Sequence, residues 1–93
     1  DKCHELEAMR DLRDNYIRHL PVGNEIIEAY YIFAPEIVKR IEAMNNAAEI
    51  WAGLYETFIS NCVAYVDAGQ YKKAYLTYLH MIQYVQVTTG IGE

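Results

Sequence analysis

Between Asn46 and Gly69 the chain carries Trp51, Leu54, Tyr55, Phe58, Ile59, Cys62, Val63, Tyr65 and Val66, and its only charges there are Glu49, Glu56 and Asp67. Trp51, Leu54 or Tyr55, Phe58, Cys62 and Tyr65 recur at the three-and-four spacing of one helix face. Ile50, Ile59, Val63 and Val66 spread apolar character well beyond a single stripe. A helix apolar over so much of its circumference needs neighbours on several sides. The stretch therefore predicts the long central helix, residues 46–68, of a small bundle. Architecture follows from this; activity does not.

Ninety-three residues leave room for one core, so a single helical domain is expected over 1–93. A hydrophobic content of 53% beside 23% charged residues is that of a globular chain rather than a disordered one. The net charge of −5 argues against nucleic acid, which is held through a cationic footprint. No run approaches the ~18 uncharged apolar residues of a membrane-spanning helix, so no span is expected. The chain opens at Asp1 rather than methionine, as a trimmed or processed product would, and the compartment is left unassigned.

Taken in order, residues 1–20 read as the first helix. Cys3, Leu6, Met9, Tyr16, Ile17 and Leu20 fall on one side, with Asp1, Glu5 and Glu7 in the opening turns, where the helix dipole favours negative charge. Arg10 and Asp14 are spaced for an i,i+4 pair. Arg13 points into the middle of the apolar arc, where a hydrophobic side chain is expected. Pro21-Val22-Gly23 breaks this helix, and Gly23 or Asn24 can cap the next.

Residues 24–33, with Ile26, Ile27, Tyr30, Tyr31 and Phe33, make a second helix, and Pro35 is expected to end it and open a third, residues 35–44. Asn46 and Glu49 have capping-box spacing for the central helix. Gly53 within it reads as the mark of a close helix crossing. Gly69 caps its C-terminus, and a final helix follows from Gln70 to about Val87 with a loose tail. The expectation is all-α: a compact bundle of about five helices ending in a helical hairpin. That hairpin matches the spacing of a tetratricopeptide pair at Phe58, Tyr65, Gly69, Tyr71, Ala74 and Tyr78, but a solenoid needs about three stacked repeats, so convergent packing is the better reading.

The opening half carries a set of short words: Cys3-His4-Glu5-Leu6, Met9 through Tyr16, Pro21-Val22-Gly23, and Tyr30 through Val38 with its Ala34-Pro35. In kind and spacing they resemble the bacterial CFI-box C-terminal domain family over Cys3 to about Ile41, and more loosely beyond. Met9 and Leu12 stand where that family usually has leucine and phenylalanine. The Cys-Phe-Ile box that names the family would lie just before Cys3 and is not in this sequence, so any role of that box does not carry over. What the resemblance implies is a module standing beside, or attached to, other bacterial proteins, with no assigned activity.

Arg10, Arg13 and Asp14, with Glu28, Tyr30 and Tyr31, are the candidate site residues. One reading is a pocket in which the Arg13 guanidinium meets an anionic ligand or a peptide carboxylate. The other is a buried ion-pair network, Arg13 with Glu28 or Asp14, completed by the tyrosine hydroxyls. Cys3 and Cys62 could be bridged by a disulfide, be free thiols, or join His4, His19 or His80 at a metal. Zinc ligands come in pairs a few residues apart, and adjacent Cys3 and His4 point about 100° apart on a helix, so no metal is expected. Nine tyrosines suit half-buried faces and interfaces; Tyr71, Tyr75 and Tyr78 serve either the core or a sticky surface.

No cofactor pattern, nucleophile motif or persuasive acid–base pair is present, and no cofactor is expected. The function expected is therefore a non-catalytic interaction or assembly module, for a protein partner or for self-association as a homodimer. Its rival is a small-ligand or enzymatic site built on Arg13 and the Tyr30-Tyr31 segment.

Overall fold

In a computed structural model describing residues 2–90, the chain is all-helical. α1 spans Lys2–Asn15, a 3-10 turn covers Ile17–His19, and α2 runs Gly23–Glu42. α3 (Ala47–Leu54), a π turn (Tyr55–Ile59) and α4 (Ser60–Asp67) follow one another without a break, and α5 (Tyr71–Thr89) returns beside them. Residues 47–67 are thus one rod, and the described chain has four helical rods rather than about five helices. No strand occurs among the described residues.

The missing boundary is at Pro35, which lies inside α2 instead of dividing it. An internal proline forfeits one helical bond, here the one its absent N–H would give to the Tyr31 carbonyl. Both Tyr31 and Pro35 are on exposed parts of the helix, where water can serve that carbonyl. Burial of Ile27 before the proline and of Ile41 after it anchors both halves, so the helix continues.

The first helix is also shorter than its periodicity suggests; Asp1, assigned to its opening turn, lies outside the described residues. Tyr16 leaves helical geometry, the 3-10 turn drives Ile17 into the core, and the chain folds back tightly onto α2. Gly23 is the contact point of that corner. A Cβ there would lie 1.8 Å from the Ile17 carbonyl oxygen, so only glycine allows the approach. Gly53 has the opposite setting. A Cβ would meet nothing within 4 Å, and the close crossing expected of it does not exist.

The central rod touches every other helix, and its π turn explains how. Ile50, Leu54, Phe58, Cys62 and Val66 are spaced by four throughout, and each such step overshoots a full α-helical turn by about 40°. A pure α-helix would wind that stripe far around the rod. The wider π turn takes in an extra residue and winds it back. Ile50 and Leu54 thereby join Ile41 and Val85 in one buried cluster. Cys62, Val63 and Val66 join Ala8, Leu12, Ile17, Ile27, Ala74 and Tyr78 in the other. α5 contributes to both.

The ends of the elements differ in their chemistry. Gly69 has a left-handed φ of 73°, and the Gly69 and Gln70 amides return to the Val66 and Tyr65 carbonyls, closing the rod as expected. Asn46 makes no side-chain cap, so the capping box is not formed. Nor does the last helix fray by Val87. It continues to a buried Thr89, whose hydroxyl donates to the Val85 carbonyl at 2.6 Å, with Gly90 left-handed behind it. Arg40 Nη1 donates to the Thr89 carbonyl at 2.9 Å and ties the end of α2 to the end of α5.

Candidate functional site

α1 and α2 diverge from the tight 3-10 corner, and the space between them is a groove of about 210 Å³. One wall is Leu6, Met9, Arg10 and Arg13 of α1; the other is Ile27, Tyr30 and Tyr31 of α2. α5 supplies the floor with Tyr78 and Met81. A second groove of about 230 Å³ runs along the opposite flank of α2, between Tyr30, Phe33 and Ile37 on one side and Leu79 and Ile82 on the other. Tyr30 divides the two.

The cause is the way α2 is seated. Its first turn is locked against the corner and its last turn by Ile41 and Arg40, while the segment between them keeps one face in solvent and meets the bundle on the other, through Tyr30 on Tyr78 and Tyr31 on Arg13. Tyr30, Tyr31, Ile32, Phe33 and Val38 are all exposed, as is Leu6 across the first groove. Ile32, 71% exposed, is the most outlying of these on α2.

Four of the six residues singled out from sequence line the first groove: Arg10, Arg13, Tyr30 and Tyr31. Asp14 stands behind Arg13, and Glu28 is exposed on α2 without an ion-pair partner among the described residues. Arg13 is not buried as its helical phase suggests. Its side chain is 32% exposed, because the long stem lies along the apolar wall and delivers the guanidinium to the rim. There Nε and Nη2 donate to the two oxygens of Asp14 at 2.8 and 3.0 Å, and Nη1 donates to the Tyr31 hydroxyl at 2.7 Å.

Asp14 also accepts from Arg18 Nη2 at 3.1 Å, taking the place expected of Arg10. Hydrogen bonds from Arg13 and then Arg18 hold the Asp14 carboxyl well below the usual carboxylate range. The bond to Asp14 likewise raises the already basic Arg13. This cluster fixes the distance between α1 and α2 at the groove mouth. Neither member sits where a removed partner would strand a buried charge, so the several-kcal/mol penalty of a broken buried pair does not apply.

On its other side α1 is fastened to the rod and α5. His4 Nε2 lies 2.7 Å from Asp67, the Tyr55 hydroxyl donates to Glu5 at 2.7 Å, and the Tyr71 hydroxyl donates to Asp11 at 2.9 Å. Tyr71 also stacks on Tyr16, with ring centres 6.1 Å apart, and Tyr75 meets the same ring at 5.9 Å. These two tyrosines therefore serve packing, and the exposed apolar surface lies on α2 instead.

No bridge joins Cys3 and Cys62. Cys3 is exposed, whereas Cys62 is a buried free thiol whose Sγ points to the Ala74 carbonyl at 3.5 Å. Burial pushes that thiol up to about 11, which removes the thiolate a nucleophile needs at neutral pH. Among the described residues no three His, Cys, Asp or Glu side chains converge as a metal site, and no helix is long and apolar enough to cross a membrane.

The sequence reading missed Leu6, Tyr78 and Met81 as groove residues, because each lies on a stripe that a packed core explains equally well. It also missed Ile32. The signal was present: an isoleucine flanked at i−4 and i+4 by Glu28 and Glu36 sits on a charged face, out of phase with the apolar one.

No family model, curated protein or solved structure matches this chain.

Proposed function

We propose that the protein is a non-catalytic interaction module that takes apolar side chains of a protein partner into the grooves beside α2. The observation that carries this is the pair of open apolar grooves flanking a helix whose middle leaves five large hydrophobic side chains exposed. Contiguous exposed apolar surface on a soluble fold marks interaction sites. Size favours a side-chain anchor over a small molecule. Whole-ligand pockets run from about 300 to 1,000 Å³, and each groove here is smaller, near 210 and 230 Å³. The Arg13 guanidinium, which the rival ligand site needs, is already engaged by Asp14 and Tyr31.

Kinship with the CFI-box family belongs to the same proposal. The words that carry the resemblance, Cys3 to about Ile41, coincide with α1, the corner and α2, the elements that make the first groove.

Display selection of peptides on the wild-type protein, with Tyr31→Asp as the counter-selected target, tests this reading. Enriched peptides should present a large apolar residue and shift the NMR resonances of Leu6, Met9, Tyr30 and Tyr31. Peptides that bind both proteins alike, or that shift only residues of α3 and α4, would contradict it.

A further inference from the structure

The chemistry that would fill the first groove is present on the chain itself. The charged residues lining that groove are two arginines, with no carboxylate among them, in a protein of net charge −5. Arg10 is exposed and has no hydrogen-bond or ion-pair partner among the described residues, whereas Arg13 is already met by Asp14 and Tyr31, so Arg10 is the charge left to a partner. The complement is an apolar anchor bordered by carboxylate. The outer face of α2 has that pattern: Ile32, 71% exposed, with Glu28 one turn before it and Glu36 one turn after. Glu36 is held by Arg40 at 3.3 Å, which leaves Glu28 as the available carboxylate.

We infer that a second copy of this chain occupies the groove, in a two-fold dimer where each Ile32 enters the partner's α1–α2 groove and each Glu28 meets the partner's Arg10 at the rim. This rests on the reading of the groove as a protein-binding surface. A two-fold interface requires one patch to carry both halves of the contact. Tyr31 in the groove wall and Ile32 outside it are neighbours about 100° apart on one helix, so receptor and anchor do lie side by side.

Area is consistent with the same occupant. Leu6, Tyr30, Tyr31, Ile32 and Val38 are between 44% and 71% exposed. With side chains of this size they leave roughly 500 Å² of apolar surface, more than half of the ~800 Å² that each partner of a standard interface buries. The polar remainder of such a patch is supplied by the arginine rim and Glu28.

Sedimentation equilibrium over a wide concentration range, on wild type and four variants, tests the dimer. Wild-type mass should rise toward twice the monomer value. Ile32→Ser, Arg10→Glu and Glu28→Arg should each weaken association by about tenfold or more, and the double variant Arg10→Glu/Glu28→Arg should recover most of the loss. All the altered side chains are exposed, and circular dichroism of each variant separates lost association from lost fold. A wild-type protein that stays monomeric throughout overturns the inference; selected peptides that still require Tyr31 would then show that only the identity of the occupant was wrong. A dimer indifferent to Ile32→Ser, or single reversals that the double variant does not rescue, overturns it as well.

Discussion

The corner where α1, α4 and α5 meet and the middle of α2 are built from similar residues and end in opposite states. At the corner Leu12 is 1% exposed and Ala74 0%, Cys62 is sealed between α4 and α5, and tyrosines stack on one another. Along α2, tyrosine, isoleucine, phenylalanine and valine stand in solvent beside open grooves. The difference lies in how each helix is held. α1 and α5 are fastened along their length, by apolar contacts and by the Tyr55–Glu5 and Tyr71–Asp11 bonds. α2 is fastened at its two ends and only sparsely between them, by Tyr30 on Tyr78 and by the Arg13–Tyr31 bond. Hydrophobicity selects neither outcome; the positions of the anchors do.

The largest effect should come from the corner. Leu12→Ala removes a buried side chain between three elements and should cost about 2–5 kcal/mol, a large part of the ~5–15 kcal/mol that holds a domain of this size. Ile32→Ala, on the open helix, should leave monomer stability within about 0.5 kcal/mol of wild type. Urea unfolding of the two variants at a concentration low enough to keep them monomeric checks the contrast. Equal losses would mean that α2 is packed as tightly as the corner.

The glycines sharpen the same contrast from the backbone. Gly23→Ala forces a methyl into the Ile17 carbonyl and should destabilise by at least ~1–3 kcal/mol, because the 3-10 turn between α1 and α2, which fixes one end of α2, must open. Gly53→Ala adds a methyl in open space inside a helix and should stabilise by about 0.5–1 kcal/mol. Thermal melting of both decides. A stabilising Gly23→Ala would show that the first turn of α2 is not pinned.

A smaller effect distinguishes the sealed corner by pH. Burial raises the Cys62 thiol from its ordinary 9.0 to about 11. Above pH 9.0 the unfolded chain loses that proton first, while the folded chain keeps it. Stability is therefore full below pH 9.0 and is lost as pH rises toward about 11. Tyr78, raised chiefly by burial, acts in the same direction at higher pH. Urea midpoints measured across this window should fall for wild type, and Cys62→Ala should flatten the part that begins near pH 9.0. An unchanged slope in the variant would mean that water reaches the thiol.

The parts of this architecture legible in the sequence are those decided locally. The apolar run from Trp51 to Val66 located the central rod, and Gly69 located its end. Arg10, Arg13, Tyr30 and Tyr31, singled out because a guanidinium on an apolar face needs polar partners, do line one groove. What the sequence hid was decided at a distance. Pro35 is a helix breaker by itself, yet Ile27 and Ile41, buried on either side of it, carry the helix through. The phase of Arg13 places its Cα toward the core, but the reach of its stem places the charge at the rim. The sequence reading missed the wider turn: the four-residue spacing of Ile50, Leu54, Phe58, Cys62 and Val66, which an α-helix cannot keep on one face, yielded only a helix needing neighbours on several sides.

Amide hydrogen exchange, followed residue by residue at increasing protein concentration, tests the central claim most directly. In dilute protein the amides of Tyr30, Tyr31, Ile32 and Phe33 should exchange through local opening, well ahead of those of Ala74 and Tyr78, which should require global unfolding. As concentration rises, protection should increase at those α2 amides and at Leu6 and Met9, with α5 unchanged, if a second copy covers the open face of α2 as proposed. Equal protection of α2 and α5 in dilute protein would contradict the account, as would a concentration dependence confined to α3 and α4.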